Sequence, residues 1–205
     1  MKDLSNKVAI ITGSSSGVGA ATARLFASLG CHVVVNYNAN SAGATQVAKE
    51  CEELGVETVC FGGSVANDTD CVAMVKAAMD KWGRVDILVN NAGTTKFVDH
   101  NNLDGLDAED FQRIYGVNVI GCYQMTRAAR AAMEANDEGG AVVNIASTAA
   151  VTGIGSSIAY AASKGAMVTM TMSPARVLGP KIRMNAVCPG FIEGDWLREG
   201  LGDTQ

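Results

Sequence analysis

Tyr160 and Lys164 stand four residues apart, thirteen residues beyond Ser147. On a helix that spacing places the phenol and the ammonium on one face, a turn apart. Ala159, Ala161, Ala162, Ala166 and Met167 around the pair favour a helix. A phenol beside an ammonium is a device for moving protons. When hydride adds to a carbonyl, the alkoxide that remains needs a proton donor within hydrogen-bond reach. Tyrosine ordinarily titrates near about 10, and a neighbouring ammonium favours phenolate and lowers that value. The spacing therefore predicts a Tyr160 held low by Lys164. By themselves the two residues would equally read as a buried aromatic and a solvated helix charge, so the elements that position them decide the matter.

The first of those elements lies at the start of the chain. Val8-Ala9-Ile10-Ile11 is a short apolar, β-branched run of the kind found in buried parallel strands, and it enters Thr12-Gly13-Ser14-Ser15-Ser16-Gly17-Val18-Gly19. Ala20, Ala21, Ala23, Leu25, Phe26 and Leu29 then recur at helical spacing, with Gly30 as the stop. Strand, glycine loop and helix in that order form the setting of a dinucleotide site. Backbone N–H groups at the helix N-terminus lack intrahelical partners and attract pyrophosphate, and glycines let the backbone approach it.

Together these motifs resemble the short-chain dehydrogenase/reductase family, and the resemblance covers essentially the whole chain in order. It is carried by Thr-Gly-x-x-x-Gly-x-Gly at 12–19 and by Asn90-Asn91-Ala92-Gly93 after the run Ile87-Leu88-Val89. Asn118 within Val117-Asn118-Val119, then Ser147, Tyr160 and Lys164, and finally Asn185-Ala186-Val187-Cys188-Pro189-Gly190 complete it. The resemblance implies that Tyr160 is the acid/base and that Ser147 hydrogen-bonds the substrate oxygen. Lys164 would hold the cofactor ribose while tuning Tyr160, and Asn118 would organise a water in a proton relay. Cofactor contacts are implied at Gly13, Ser15, Ser16, Gly17, Val18 and Gly19 in the first loop, and at Asn91, Ala92 and Gly93 after strand four. Tyr160 and Lys164 themselves, with Pro189, Gly190 and Ile192 beyond strand six, would complete the cofactor's surroundings.

The residue ending strand two decides between NAD and NADP in such folds. Asn36, after Val33-Val34-Val35, is neutral and repels no 2′-phosphate. Tyr37-Asn38-Ala39-Asn40 supplies no cation, and Ser16 stands where many NADP-dependent relatives carry a basic residue. Asn36, Asn38 and the serines would donate hydrogen bonds without charge assistance. NADP(H) is the expected cofactor, with NAD(H) as the alternative. Ser64-Val65 stands where relatives have Asp-Val against the adenine, and a neutral serine holds the adenine amino group less strongly.

At 205 residues the chain fits one α/β domain, and strands alternating with helices predict a Rossmann-like, doubly wound parallel sheet. Expected elements include a helix over Asp68–Trp82 capped by Asn67 or Asp68, with Val72, Val75, Met79 and Trp82 inward. A long helical stretch over 111–136, a fifth strand over 141–146 and a sixth over Ile182–Val187 follow. Pro174 falls within the continuation of the Tyr160 helix, where it removes a backbone bond at a cost of about 3 kcal/mol and predicts a kink. The net charge of −5 argues against nucleic acid and anionic membrane surfaces as partners. Neither a membrane-length apolar run nor a signal-peptide pattern is present. The six cysteines, at 31, 51, 60, 71, 122 and 188, are scattered without metal-like pairing and read as small buried hydrophobes in a reducing cytoplasm. His32 and His100 carry no metal motif, so no metal is expected.

Relatives run to roughly 250 residues, with a lid and a seventh strand after the Pro-Gly turn; here that region begins at Phe191-Ile192-Glu193-Gly194-Asp195-Trp196 and the sequence stops at Gln205. The expectation is a C-terminally incomplete domain lacking the final strand, with strand six at an edge. The functional expectation is an NAD(P)H-dependent reductase of ketones, similar to the β-ketoacyl-ACP reductases, acting on a small or acyl-carrier-bound carbonyl. Its homodimer or homotetramer would form through the helices bearing Asn118 and Tyr160. The alternatives are an alcohol or sugar dehydrogenase of the same family, and a dinucleotide-binding protein inactivated by truncation.

Overall fold

The computed structural model describes residues 3–192 and Gly194. Its strands are β1 (Val8–Ile11), β2 (His32–Tyr37), β3 (Thr58–Gly62), β4 (Ile87–Asn90), β5 (Gly140–Ile145) and β6 (Ile182–Val187). The helices are α1 (Gly17–Ser28), α2 (Ser41–Glu53), α3 (Asp68–Trp82), α4 (Ala108–Tyr115), α5 (Cys122–Ala135), α6 (Ala149–Thr152) and α7 (Ile158–Leu178). All strand pairs are parallel, in the order β3-β2-β1-β4-β5-β6. The order reverses between β1 and β4, the switch point at which open α/β sheets bind ligands.

Register explains why the central strands β1, β2 and β4 are nearly continuous apolar runs. Val34, Ile10, Leu88, Val142 and Met184 pair in one row across the sheet. That row packs with Met74, Val75 and Ala78 of α3 and Met125, Ala129 and Met133 of α5. The next row, Val35, Ile11 and Val89, faces the opposite way, onto Ala20, Ala23 and Ala27 of α1 and Ala44, Val47 and Cys51 of α2. Successive side chains of a strand point to opposite faces, so burial on both sides demands apolar residues at every position.

Two expectations are corrected. The buried stripe of α3 is Cys71, Met74, Val75 and Ala78, and the expected Met79 and Trp82 pack partly buried against the same core, whereas Val72 is 50 % exposed. The cap is Asn67, whose side chain accepts from Thr69 N–H.

The stretch expected over 111–136 starts earlier, at a capping box between Asp107 and Asp110, and is not uniform. Residues Gly116–Gly121 are wound as a π-helix between α4 and α5. A Cβ on Gly121 would lie 2.6 Å from Val65 Cγ2. Close packing of this turn on Val65 is thus compatible with glycine alone, and a π turn admits the extra residue.

As expected, α7 runs through Pro174 to Leu178. Among the cysteines, 31, 51, 71 and 122 are buried but Cys60 and Cys188 are exposed, and all six are free thiols. No helix of the described residues is long and apolar enough to cross a membrane.

Candidate active site

Every motif of the sequence lies at the carboxyl ends of the strands. Thr12, directly after β1, accepts at Oγ1 from the N–H groups of Asn91 and Ala92, both at 3.0 Å. Asn91 Nδ2 returns two bonds, to the carbonyls of Thr12 and Gly13 at 3.0 Å. The loops after β1 and β4 are thereby one cross-braced unit.

Glycine is required where they meet. Gly13 has φ +62°, and a Cβ there would sit 2.9 Å from Ala92 Cα. A Cβ on Gly19 would fall 2.5 Å from Asn91 Nδ2 and 2.6 Å from the Gly13 carbonyl. Gly17, at φ +54°, is different: the space its Cβ would take is open. It opens onto the N-terminus of α1, which has no acidic residue in its first turn and no side-chain cap from Ser16. Unpaired N–H groups facing an open cradle fit a dinucleotide pyrophosphate. Ser15, Ser16 and Val18 line the same loop. Gly19→Ala is expected to weaken dinucleotide binding by more than about tenfold and to cost about 1–3 kcal/mol of stability, because its Cβ meets backbone. Titration of cofactor fluorescence checks the first and thermal unfolding the second; an unchanged dissociation constant would mean that the loop yields.

The proton-transfer residues converge from β5 and α7. Asn90 Nδ2 donates to Asn144 Oδ1 at 2.9 Å, and Asn144 Nδ2 donates to Thr171 Oγ1 at 2.8 Å. This buried polar chain ties β4 and β5 to α7 and sets the helix on the sheet. Ser157 caps α7, its side chain accepting from Tyr160 N–H. Ser147 follows β5, and its hydroxyl is hydrogen-bonded to the Tyr160 phenol.

Burial pushes the Tyr160 phenol above its usual range, and the bond with Ser147 opposes the rise. Lys164 Nζ lies 5.5 Å from the centre of the Tyr160 ring, yet it donates to the Ile145 carbonyl at 2.7 Å. Burial lowers the Lys164 ammonium to about 8, partly offset by the thiols of Cys122 and Cys188. The expectation of a phenol held low by its lysine is therefore corrected. Desolvation outweighs the bond from Ser147, and the lysine's own bond goes to the backbone.

Asn118 is fully buried within the π turn. Its Oδ1 accepts from Thr94 N–H at 2.8 Å, and its Nδ2 donates to the Thr94 carbonyl at 3.0 Å and to Ser163 Oγ at 2.9 Å. The side chain is thus a staple. A relay water would have to be held by backbone groups of the widened turn. Gly93 is exposed, and a Cβ on it would lie 3.5 Å from Asn118 Oδ1 and 3.7 Å from Lys164 Nζ. That open space is where the expected cofactor residues Gly93, Tyr160 and Lys164 come together.

Two expected contacts are displaced. Asn36 is only 2 % exposed. Its Oδ1 accepts from Gly13 N–H at 2.9 Å, while its Nδ2 faces the carbonyls of Tyr37, Phe61 and Gly63 at 3.3, 3.2 and 3.0 Å. It braces the loop from within and has no donor left for a 2′-phosphate. Val65 packs inward on Gly121 and belongs to the core. Ser64 stays at the cleft, its N–H bound to Asp70 Oδ2 at 2.9 Å and its Oγ accepting from Ala66 N–H at 3.3 Å.

Pro189, Gly190 and Ile192 follow β6 on the same side of the sheet, with Ile192 46 % exposed. Glu193, Asp195 and Trp196, read as the start of a lid, lie outside the described residues. Sequence reasoning missed Thr94 and Ser163, which carry no periodic signal. Among the described residues no group of three or more His, Cys, Asp or Glu side chains is placed to hold a metal ion.

Comparison with known proteins places this geometry. A family profile described as short chain dehydrogenase matches residues 7–202. A 3-oxoacyl-[acyl-carrier-protein] reductase from Synechocystis sp. is 35 % identical over 196 residues, which make up 95 % of this chain and 78 % of that protein. An L-rhamnose 1-dehydrogenase (NAD(P)(+)) from Azotobacter vinelandii is 35 % identical over 206 residues, covering 98 % of this chain and 79 % of the other. The crystal structure of an NAD+-bound xylitol dehydrogenase superposes with a TM-score of 0.89 at 29 % identity, covering 97 % of this chain and 75 % of that one.

Proposed function

We propose that this chain, which belongs to the short chain dehydrogenase family, reduces ketones to secondary alcohols with Tyr160 as proton donor. It is an NAD(P)-dependent oxidoreductase by that membership. The observation that carries the reading is the hydrogen-bonded Ser147–Tyr160 pair, set beside Lys164 and the open face of Gly93 at the switch point of the sheet.

A bound nicotinamide supplies the hydride. Tyr160 then gives its phenolic proton to the substrate oxygen, and a phenol raised by burial is protonated and ready to do so at neutral pH. Ser147 holds that oxygen by its hydroxyl. Lys164 would hold the cofactor ribose, and its positive charge would favour the phenolate that forms.

NADP(H) is the cofactor favoured. With Asn36 turned inward, Tyr37-Asn38-Ala39-Asn40 forms the rim after β2, and it carries no carboxylate to repel a 2′-phosphate. Asn40 is already used, accepting from Gly43 N–H as the cap of α2, which leaves Asn38 and the Ser16 hydroxyl as donors. As substrate we assign a β-ketoacyl thioester, supported by the similarity to the Synechocystis reductase. A sugar or polyol is the second reading, supported at the same identity by the rhamnose dehydrogenase. Two copies would pair through the π turn bearing Asn118 with α5, and through α7; these carry the exposed side chains Ile120, Tyr123, Ile158 and Met172.

Thermal unfolding with saturating NADPH or NADH tests the cofactor assignment. A ligand at a hundredfold its dissociation constant stabilises by about 2.7 kcal/mol, roughly 5–10 °C at this chain length. NADPH is expected to give the larger rise, and a larger rise with NADH would reverse the assignment. Turnover is then assayed on β-ketoacyl thioesters, sugars and polyols; activity confined to the latter two would replace the first substrate by the second.

A further inference from the structure

Ser163 precedes Lys164 in the chain and is wholly buried. Its Oγ donates to the Tyr160 carbonyl at 2.7 Å and accepts from Asn118 Nδ2 at 2.9 Å. A bond to the carbonyl three residues back is one that any serine in a helix can make. The second bond sets Ser163 apart, because a buried amide hydrogen has no water to turn to. Asn118 has little capacity in reserve, with its Oδ1 and its other Nδ2 hydrogen both committed to Thr94. One hydrogen-bonded chain thus runs from the loop after β4, through the π turn, to the turn of α7 that bears Tyr160.

We propose that Ser163 is a positioning residue, whose hydroxyl locks the Tyr160–Lys164 turn of α7 against Asn118 and so sets the depth of the phenol in the site. The inference rests on Tyr160 being the proton donor. Without the hydroxyl, one Asn118 N–H loses its acceptor in a dry place. Either Asn118 turns and releases Thr94, or water enters behind Tyr160. In both cases the phenol is less closely held.

Groups from several elements face Tyr160. Ser147 bonds it from the end of β5. Lys164 lies beside the ring on α7. Gly155 packs against it from the loop before α7, and the Gly155 carbonyl accepts from His100 Nε2 at 3.0 Å.

The test compares Ser163→Ala with Ser163→Thr in the full chain. Titration of Tyr160 is followed by NMR of tyrosine labelled with carbon-13 at Cζ, its resonance assigned by loss in Tyr160→Phe. Burial holds this phenol high, so admission of water in Ser163→Ala should bring its titration down toward the ordinary tyrosine value. Ser163→Thr, which keeps the hydroxyl, should restore the parental titration. With the best substrate of the panel, kcat of Ser163→Ala should fall by about tenfold or more, and Ser163→Thr should recover it.

A parental Tyr160 titration in Ser163→Ala would overturn the proposal, and so would equal shifts in the Ala and Thr variants. If Ser163→Ala does not fold, Ser163→Cys keeps the volume and weakens both bonds, and the same shift is sought there. A parent chain that turns over no carbonyl or alcohol would refute the functional reading, and the NMR comparison would still decide the role of Ser163.

Discussion

Tyr160→Phe is expected to lower kcat by about 10²- to 10⁴-fold while leaving cofactor affinity close to that of the parent. The substitution removes one oxygen. Tyr160 is 9 % exposed and its ring packs beside Ala149 and Ala161, contacts that phenylalanine keeps. The phosphate cradle is built from the Gly13–Gly19 loop, Asn91 and Thr12, none of which depends on the phenol. Ser147 loses its partner but retains the bond it accepts from Ala149 N–H at 3.2 Å. Binding of NADPH, read by fluorescence titration, should therefore persist while single-turnover hydride transfer collapses. Residual turnover equal to the parent's would remove Tyr160 from the mechanism and leave a dinucleotide-binding protein.

What could be read in the sequence and what could not divide along a physical line. The strands β1, β2 and β4 were legible because burial on both faces demands nearly continuous apolar runs, and glycines or turn residues bound them. Glycines at 13, 17 and 19 were legible as a cradle because their spacing has one common structural cause. Burial of a polar side chain leaves no such mark.

Asn36 has the right type to meet a phosphate, but its amide is spent on Gly13 and on carbonyls of β2 and the β3 end. That accounting exists only in three dimensions. The π turn around Asn118 was hidden for a related reason: residues 116–121 are acceptable in an α-helix, and it is the contact of Gly121 with Val65 that favours the wider winding. The direction of the Tyr160 shift was misjudged because spacing reveals that an ammonium is near, whereas desolvation depends on everything else that surrounds the pair.

Lys164→Met should show the opposite signs in function and stability: activity lost, the fold strengthened. Lys164 is 3 % exposed, and burial lowers its ammonium to about 8 against an ordinary value near about 10.5. A base whose folded value is depressed penalises the folded state wherever both states carry the proton. Below pH 8 that penalty is complete, and it is relieved as pH rises, because the unfolded chain then binds more protons than the folded one. Stability of the parent should therefore gain a contribution between roughly pH 8 and 10.5, worth on the order of 3 kcal/mol in full.

Methionine fills nearly the same volume without charge. It also leaves the Ile145 carbonyl without its 2.7 Å donor, at a cost of about 1–3 kcal/mol. The net expectation at pH 7 is a gain of about 1 kcal/mol, with the rise above pH 8 abolished. Denaturant unfolding across pH 6–10 measures both. Catalysis should fall by about 10²-fold or more, since the charge that favours the phenolate is gone. A variant that is inactive yet less stable, and that keeps the alkaline rise, would show that the lysine is not desolvated. A variant both more stable and inactive would identify Lys164 as a residue held at the expense of the fold for the chemistry at Tyr160.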